Sequence, residues 1–510
     1  MQTIQKYTPF FVSALLMGIV LYVIYPHYQY FIDPDSTSYL TISKRYATGD
    51  IRTAINGYWS PWSCWLTALM IKTGMQVIPA SIVINSFAAT GFLYVSQSLF
   101  LKFDIIPKLQ WLLNITLTFF LCFAVFAQSF DDLWECFFLL CALRIMLSSR
   151  FTSSPGLWIC TGIIGALGYF AKAYSFPFFI LNTIICCYFI DKKQWLKISA
   201  TAIVVMILCS SWWICILHHK YGIWTTATTG SLNLSWYLVG HPYWAHGIDQ
   251  LLPPAYPDSP CYWEDPFYAN GTTPHFWSSW YLFGMQLIRI CYNLYKFLVS
   301  ILQLSVFFPF ILFLFMRFVA NRKTRSPDPA FIIALTSFLF PVGYLLINFE
   351  SRYIWYLLPL GMIAASMFLQ DYLGGRDGKK GMHFLPVVFA LSFLIYPAYC
   401  MVVMYNEGNK EADIATQLKH LNIHGSFTAT VKPHLETQRM ERLAYFSGNQ
   451  FYSIPKQTIK EGDVLREMRR YHVKYFFSID TTKLVDEQGK PFPEVTKGSI
   501  DGLKVFMVNP

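Results

Sequence analysis

Two carboxylates, Asp33 and Asp35, follow the first long apolar run of the sequence, within the segment FIDPDSTSYL. A carboxylate at a membrane surface is well placed to accept the proton of a hydroxyl that attacks a lipid-borne leaving group. General-base catalysis of this kind needs the carboxylate within hydrogen-bonding distance of the attacking oxygen. The alternative is that both acids only cap the helix beginning near Ser36, because Asp is a favoured N-cap residue.

Lys172 and Arg352 are two cations at the ends of apolar runs. Ionisable side chains are costly in such positions and are therefore candidates for function. Arg binds anionic oxygens through a planar fork of donors and Lys acts as a point charge, so the pair could bind an anionic group. The alternative for each is a flanking residue whose charged end reaches the membrane surface. Two other cations, Lys44 and Arg45, we expect on a solvated helix face.

A second acid pair, Asp131 and Asp132, opens another apolar run, and Glu135 lies one helical turn further in. Hard divalent cations prefer carboxylate oxygens. The pair is therefore predicted to bind either a divalent metal ion or the molecule whose hydroxyl group attacks. A simple cap on the helix is the alternative. The sequence identifies no certain cofactor, and the metal ligands stay undetermined.

Aromatic side chains surround His241 in the segment GHPYW at 240–244. Aromatic faces stack on sugar rings, which makes His241 a candidate for sugar contact. An aromatic belt at the membrane interface is the favoured alternative, since Trp and Tyr collect there. No Cys/His spacing in the sequence is typical of a zinc site.

The chain that must position these residues has 510 residues, of which 55% are hydrophobic and only 13% are charged. Soluble proteins carry about a quarter charged residues, so a large soluble enzyme is excluded. Charge density rises to an ordinary level only after residue 404. Nucleic acid is excluded as a partner, because no basic run with interleaved aromatic residues occurs. The sequence therefore predicts a polytopic membrane domain at 1–404 and a small soluble domain at 405–510.

About eleven apolar runs approach the length of roughly 20 residues that a membrane-spanning helix needs. They lie near 8–26, 80–101, 109–129, 131–147, 157–174, 176–190, 196–217, 297–318, 329–349, 353–370 and 383–404. A shorter run at 61–74 is predicted to lie as a helix in the outer interface.

Lys and Arg are concentrated in one set of alternate connections, which places those connections in the cytoplasm. The N-terminus is then cytoplasmic. The loops 27–79 and 218–296, together with the whole of 405–510, face away from the cytoplasm. Every candidate site residue named above falls on that outer side.

The soluble tail combines helical periodicity at 410–421 and 462–471 with β-rich runs at 427–431, 474–479 and 503–508. This alternation predicts a small α/β domain in which helices pack on a sheet. The fold class is thus an α-helical polytopic membrane protein with a C-terminal α/β soluble domain.

The D-x-x-x-Y motif of Asp35 and Tyr39, followed by Gly49-Asp50 and by the aromatic-Pro turn at 59–62, resembles the GT-C glycosyltransferases. The nearest patterns are those of the bacterial lipid A aminoarabinose transferases and the protein O-mannosyltransferases. The resemblance implies that Asp35, rather than Asp33, is the catalytic base. Ser38 stands where the aminoarabinose branch has an Arg, so the phosphate must be bound by another cation.

The resemblance continues in Asp131-Asp132, in the run GALGYFAK at 165–172, which is similar to the family's G-x-x-x-G-x-x-x-K pattern and ends at Lys172, and in Glu350-Ser351-Arg352-Tyr353. It implies that these residues bind substrate together with Tyr39, and that Lys172 and Arg352 neutralise the phosphate leaving group. His241, in the outer loop, stays a candidate for substrate binding because of its aromatic surroundings.

The implied activity is inverting transfer of a sugar from a polyprenyl-phosphate donor to an acceptor hydroxyl at the outer face of a bacterial plasma (inner) membrane. The acceptor is a lipid, a glycan or a protein, and membrane lipids surround the enzyme. The alternatives are a transporter or flippase of lipid-linked sugars, a ligase, and a non-catalytic scaffold. The sequence does not name the sugar, the prenyl chain or the acceptor.

Overall fold

The computed structural model describes residues 2–127, 130–239, 251–266, 275–308, 329–374, 384–429, 435–453, 461–479, 484–486 and 488–508. Up to residue 404 the described chain is almost entirely helical. Its longer helices are α1 (Gln2–Tyr28), α2 (Pro34–Thr48), α3 (Pro61–Lys72), α4 (Val77–Lys102), α5 (Pro107–Phe126), α6 (Phe130–Met146), α7 (Pro155–Ala171), α8 (Ser175–Ile190), α9 (Trp195–Tyr221), α10 (Thr229–Val239), α11 (Trp280–Leu304), α12 (Pro329–Leu339), α13 (Leu357–Gly374), α14 (Leu385–Ser392) and α15 (Ile395–Met404).

Among the described residues, seven helices are long and apolar enough to cross a membrane. The shorter α7, α8 and the greater part of α13 are also apolar. Large apolar side chains cover the outer faces of the spans, such as Leu15 and Leu208, each 67% exposed in the chain alone. Contiguous apolar surface of this kind marks contact with lipid. The chain is a multi-pass membrane protein, and the count of eleven spans stays a prediction.

Helix α11 begins at Trp280, well before the predicted start of a span at 297. The polar residues that obscured it in the sequence face protein rather than lipid. Gln286 Nε2 donates to the carbonyl of Leu346 at 2.6 Å, and Asn293 Nδ2 donates to that of Leu345 at 3.0 Å. The predicted start is therefore wrong, and the outer loop predicted at 218–296 already contains the first part of α11. Residues 309–318 of that predicted span lie outside the described chain.

Helix α2 has strong signals at both ends. Asp33 is the N-cap, Pro34 occupies the first turn, and Gly49 ends the helix with a φ of 88°. A left-handed φ favours glycine, since it has no Cβ to clash. One face of α2, including Leu40, packs against α3. Helix α3 coincides with the helix predicted at 61–74, and its place in the membrane interface stays a prediction.

After residue 404 the chain forms a four-stranded sheet with helices α16 (Asn409–His420), α17 (Leu435–Ser447) and α18 (Glu461–Arg470). The strands are β1 (Ser426–Ala429), β2 (Gln450–Phe451), β3 (Tyr475–Ser478) and β4 (Lys504–Met507), in the order β2-β1-β3-β4. β1 is parallel to β2 and β3, and β3 is antiparallel to β4. α17 connects β1 to its parallel neighbour β2, as a parallel pair requires a crossover.

Phe427 lies at the centre of this sheet, fully buried, and its ring stacks on those of Phe451 and Phe477. The three β-rich runs and the two helices predicted in the tail correspond to β1, β3, β4, α16 and α18. Helix α17 and strand β2 were not predicted. The assignment of 405–510 as a separate domain on the outer side stays a prediction.

Candidate active site

A cavity of about 830 Å³ lies between the helical region and the sheet region. Eight of the nine site residues predicted from the sequence line it: Asp33, Asp35, Tyr39, Asp131, Asp132, Lys172, Arg352 and Tyr353. They come from α2, α6, the end of α7 and the short helix Ser351–Ile354, which are far apart in the sequence. The ninth, His241, lies outside the described residues.

The two acids of the first loop have different environments. Asp33 caps α2, because its Oδ1 accepts from the backbone N of Ser36 at 2.7 Å and from the Ser36 hydroxyl at 2.5 Å. Burial and the neighbouring Asp35 raise the pKa of Asp33 to about 6, against the opposing effects of Arg352 and Ser36. Asp33 thus caps α2, which is the role that the sequence offered for both acids as the alternative to catalysis.

Asp35 makes its contacts through side chains that enter from distant parts of the chain. Its Oδ2 accepts from Arg352 Nη2 at 2.7 Å, and its Oδ1 accepts from the indole of Trp263 at 3.1 Å. The Asp35 side chain is 25% exposed, so the carboxylate remains open to the cavity. Such a carboxylate can accept a proton from a hydroxyl group that enters the cavity.

Trp263, which lies in the outer loop predicted at 218–296, is a direct neighbour of Asp35. Its carbonyl accepts from Ser38 Oγ at 3.1 Å and from Trp59 Nε1 at 3.0 Å, and these bonds fix the indole beside the acid. Ser38 occupies the position of the Arg in the aminoarabinose branch, and here its hydroxyl bonds the segment 251–266. No local sequence signal indicates this long-range contact.

Arg352 lies among three carboxylates. It is 2.7 Å from Asp35, 2.8 Å from Glu350 and 3.5 Å from Asp132, and its side chain is 21% exposed. Glu350 lies two residues before Arg352 in the sequence, and no role was predicted for it. Because Arg352 is always charged and faces the cavity, it can exchange a carboxylate partner for a phosphate oxygen.

Lys172 occupies the first position after α7 and forms an ion pair with Asp132. Its Nζ also lies 3.8 Å from Glu135 and 3.9 Å from the ring centre of Tyr353. Glu135, which the spacing placed one turn further in, does share this cluster. A cation at a ring face is stabilised by the negative face of the aromatic system. The second cation of the cavity is thus held by two carboxylates and an aromatic ring.

The acid pair that opens α6 divides its contacts. Asp132 faces Lys172 and Arg352, whereas Asp131 accepts hydrogen bonds from the hydroxyl groups of Tyr39 and Ser63. Both side chains are buried. Asp131 therefore connects α2 and α3 to α6, and Tyr39 is its partner in that connection. Groups of three or more His, Cys, Asp or Glu side chains arranged to hold a metal ion do not occur within the described part of the chain.

Arg45 is not on a solvated helix face, so that prediction is wrong, whereas its neighbour Lys44 is exposed as expected. Arg45 is buried and bonds Asp258 at 2.7 Å, Asp50 at 3.0 Å and the nearly inaccessible Glu264. The segment 251–266 folds over α2 and covers it, which a helical periodicity cannot indicate.

The remaining cavity wall has two chemically different parts. One part is polar and aromatic, and consists of Tyr58, Asn233, Trp236, Tyr237 and Trp263. The other part is largely apolar and consists of Phe31, Phe123, Trp355, Tyr396, Val403 and Met404. Aromatic faces with nearby polar groups suit sugars, and the apolar part suits a hydrocarbon chain.

The chain is similar to known proteins in its fold, but it has little sequence similarity to them. No protein-family profile and no curated protein sequence matches the chain. The structure of ArnT from Cupriavidus metallidurans bound to undecaprenyl phosphate matches with a TM-score of 0.56 and 11% identity, covering 98% of this chain and 97% of that one.

Two further solved structures are similar. The mycobacterial arabinofuranosyltransferase AftD matches with a TM-score of 0.52 and 12% identity, over 98% of this chain and 41% of that one. The oligosaccharyltransferase of Archaeoglobus fulgidus, in complex with Zn and sulfate, matches with a TM-score of 0.51 and 13% identity, over 92% of this chain and 68% of that one. The chain therefore has the fold of these GT-C glycosyltransferase structures, as the resemblance in the loop after α1 predicted.

Proposed function

We propose that this protein transfers a sugar from a polyprenyl-phosphate donor to an acceptor hydroxyl, with inversion at the anomeric carbon. The observation that carries the proposal is the position of Asp35, a carboxylate open to a cavity whose two cations are Arg352 and Lys172. A base and a phosphate-binding pair in one cavity are what this reaction needs. Support for a lipid-linked donor comes from the ArnT structure, which has undecaprenyl phosphate bound.

The bond changes balance as follows. The acceptor oxygen forms a bond to the anomeric carbon as its proton passes to Asp35, and the bond from that carbon to the phosphate oxygen breaks. The electron pair of the broken bond remains on the polyprenyl phosphate. Arg352 and Lys172 stabilise the negative charge that develops there, and attack from the face opposite the leaving group inverts the configuration. The apolar part of the wall takes the prenyl chain.

Arg352 pairs with Asp35 in the free protein. This ion pair links binding of the donor to activation of the acceptor. A donor phosphate that binds Arg352 competes with Asp35 for the same guanidinium. Binding of the donor therefore releases one oxygen of Asp35 for the acceptor hydroxyl. The base becomes available when the leaving group is in place, which disfavours proton transfer without a bound donor.

The activity is tested by mass spectrometry of envelope glycolipids and glycans from cells with and without the protein. Purified protein with a labelled polyprenyl-phosphate sugar then gives the stoichiometry. We expect one free polyprenyl phosphate for each sugar transferred. Movement of intact donor between leaflets without its consumption would instead indicate a transporter and would contradict the proposal.

The proposed topology puts the cavity and residues 405–510 outside the cytoplasm of a bacterial cell. A tag at the C-terminus should then be cleaved by protease added to spheroplasts. A protected tag would overturn this orientation.

A further inference from the structure

Helix α17 brings side chains of the sheet region into the cavity. Thr437, Gln438 and Glu441 line it, and they lie on one face of α17 because residues three and four apart share a helix face. Arg442 anchors the helix, since its Nε donates to the carbonyl of Ile32 at 2.8 Å. Ile32 is the residue directly before Asp33. The sheet region thus contacts the backbone that carries the catalytic loop.

Glu441 is buried, with only 3% of its surface exposed, although it lines the cavity. Its carboxyl makes no hydrogen bond or ion pair with any residue that the structure describes. The adjacent Arg442 does not neutralise it, because Arg442 pairs with Glu407 at 2.9 Å and lies 3.7 Å from Glu411. Because this carboxyl group lines the cavity, water or ligand atoms there can form hydrogen bonds with it.

The charge around Glu441 determines its protonation state. Burial, together with the nearby Asp35 and Asp33, raises the pKa of Glu441 to about 8. The thiol of Cys261, in the segment 251–266, also lies near Glu441. Burial raises the pKa of this thiol as well. At neutral pH the Glu441 carboxyl is therefore uncharged and carries a proton that it can donate in a hydrogen bond.

We propose that Glu441, as a neutral carboxylic acid, donates a hydrogen bond to an oxygen of the lipid-linked sugar phosphate, and so makes the sheet region part of the active site. This inference rests on the proposed function. A neutral acid suits this position, because an ionised carboxylate would repel both the donor phosphate and Asp35. The accepting oxygen belongs either to the sugar or to the phosphate.

The test compares substitutions that separate hydrogen bonding, charge and volume. Glu441→Gln keeps a neutral donor of the same size, and we expect sugar transfer within about threefold of wild type at pH 7. Glu441→Leu keeps volume without a donor, and we expect a loss of about tenfold or more, since one buried hydrogen bond contributes about that much. Both variants should unfold at or above the wild-type temperature, which excludes misfolding as the cause.

The pH dependence of sugar transfer distinguishes a hydrogen-bond donor from a purely structural residue, because a structural role would not change it. The protonated form is the active one, so wild-type activity should fall as pH rises through about 8. Glu441→Gln should remove this decrease. Cys261→Ser should leave it in place, which separates the carboxyl from the neighbouring thiol. An unchanged alkaline limb in Glu441→Gln would overturn the assignment.

Binding of polyprenyl phosphate alone identifies the accepting oxygen. Weaker binding of this lipid to Glu441→Leu indicates a phosphate contact, and unchanged lipid binding with a raised KM for the complete donor indicates a sugar contact. Equal loss of transfer in Glu441→Gln and Glu441→Leu would contradict a neutral donor. Wild-type activity in Glu441→Leu, with transfer still dependent on Asp35, would refute this inference alone. Absence of transfer by the wild type would refute the proposed function instead.

Discussion

Two arginines of this protein each lie among three carboxylates, but in different surroundings. Arg45 contacts Asp50, Asp258 and Glu264 under the segment 251–266, and its side chain is only 5% exposed. Arg352 contacts Asp35, Glu350 and Asp132, and its side chain is 21% exposed on a cavity wall. The two arginines therefore share contact with carboxylates and differ in their access to the cavity. On this difference rests the proposal that Arg45 is structural and that Arg352 binds substrate.

The energetic consequence of losing each arginine follows from its partners. Glu264, at 1% exposure, would become a buried charge without compensation if Arg45 were removed. If Arg352 is removed, water and protons can compensate Asp35 and Glu350, which are 25% and 39% exposed, and the buried Asp132 keeps its ion pair with Lys172. Loss of Arg45 should thus lower stability, whereas loss of Arg352 should lower the rate of transfer.

Of the two arginine substitutions, Arg352→Ala is expected to have the larger effect on the reaction. Removing one charge-stabilising donor lowers a rate by about 10²–10³-fold, and we expect that loss in kcat. Arg352→Lys keeps the charge but not the planar fork, and should recover only part of the rate. Initial rates with a labelled donor measure both variants. A rate for Arg352→Ala within threefold of wild type would contradict the proposal that Arg352, unlike Arg45, binds substrate.

The next largest effect is expected on stability, when Arg45 is replaced. Arg45→Met leaves Glu264 unpaired and should lower the free energy of unfolding by about 3–5 kcal/mol. The double variant Arg45→Met/Glu264→Met replaces the buried pair by apolar side chains and should recover most of this loss. Thermal unfolding in detergent measures the series. An unstable double variant, or an Arg45 variant that is fully stable but inactive, would contradict a structural role.

The smallest effect is expected for Tyr39→Phe. This change removes the hydroxyl that donates to Asp131, which retains its hydrogen bond from Ser63 at 2.5 Å. We expect a loss of about 1–2 kcal/mol in stability and a transfer rate within about threefold of wild type. Steady-state kinetics provide the check. A large increase in KM without loss of stability would instead make Tyr39 a substrate-binding residue.

Much of the site could be predicted because charge is rare in apolar sequence. Lys172 and Arg352 stand out at the ends of apolar runs, and the spacing of Asp35 and Tyr39 places them one helical turn apart. The structure brings all of them to one cavity. Similarly, the strands of the tail follow from their β-branched and aromatic residues.

The residues that were missed reach the site through long-range contacts. Trp263 and Glu441 come from segments distant in sequence from α2, and each lies near Asp35 only because those segments fold over the first loop. Arg45 was misassigned for the same reason, since its cover is formed by residues 251–266. The early start of α11 was missed because its polar residues bond to neighbouring backbone carbonyls.

The most direct test of the central claim compares Asp35→Asn with Asp33→Asn in the same purified preparation. Asn at position 35 cannot accept the proton, so we expect transfer to fall at least about 10²-fold, because general-base catalysis contributes 10²–10⁴-fold. Asn at position 33 still caps α2, since Asn is as good an N-cap as Asp, and should leave most of the activity. Retained transfer in Asp35→Asn, at wild-type folding, would contradict the role of Asp35 as the base.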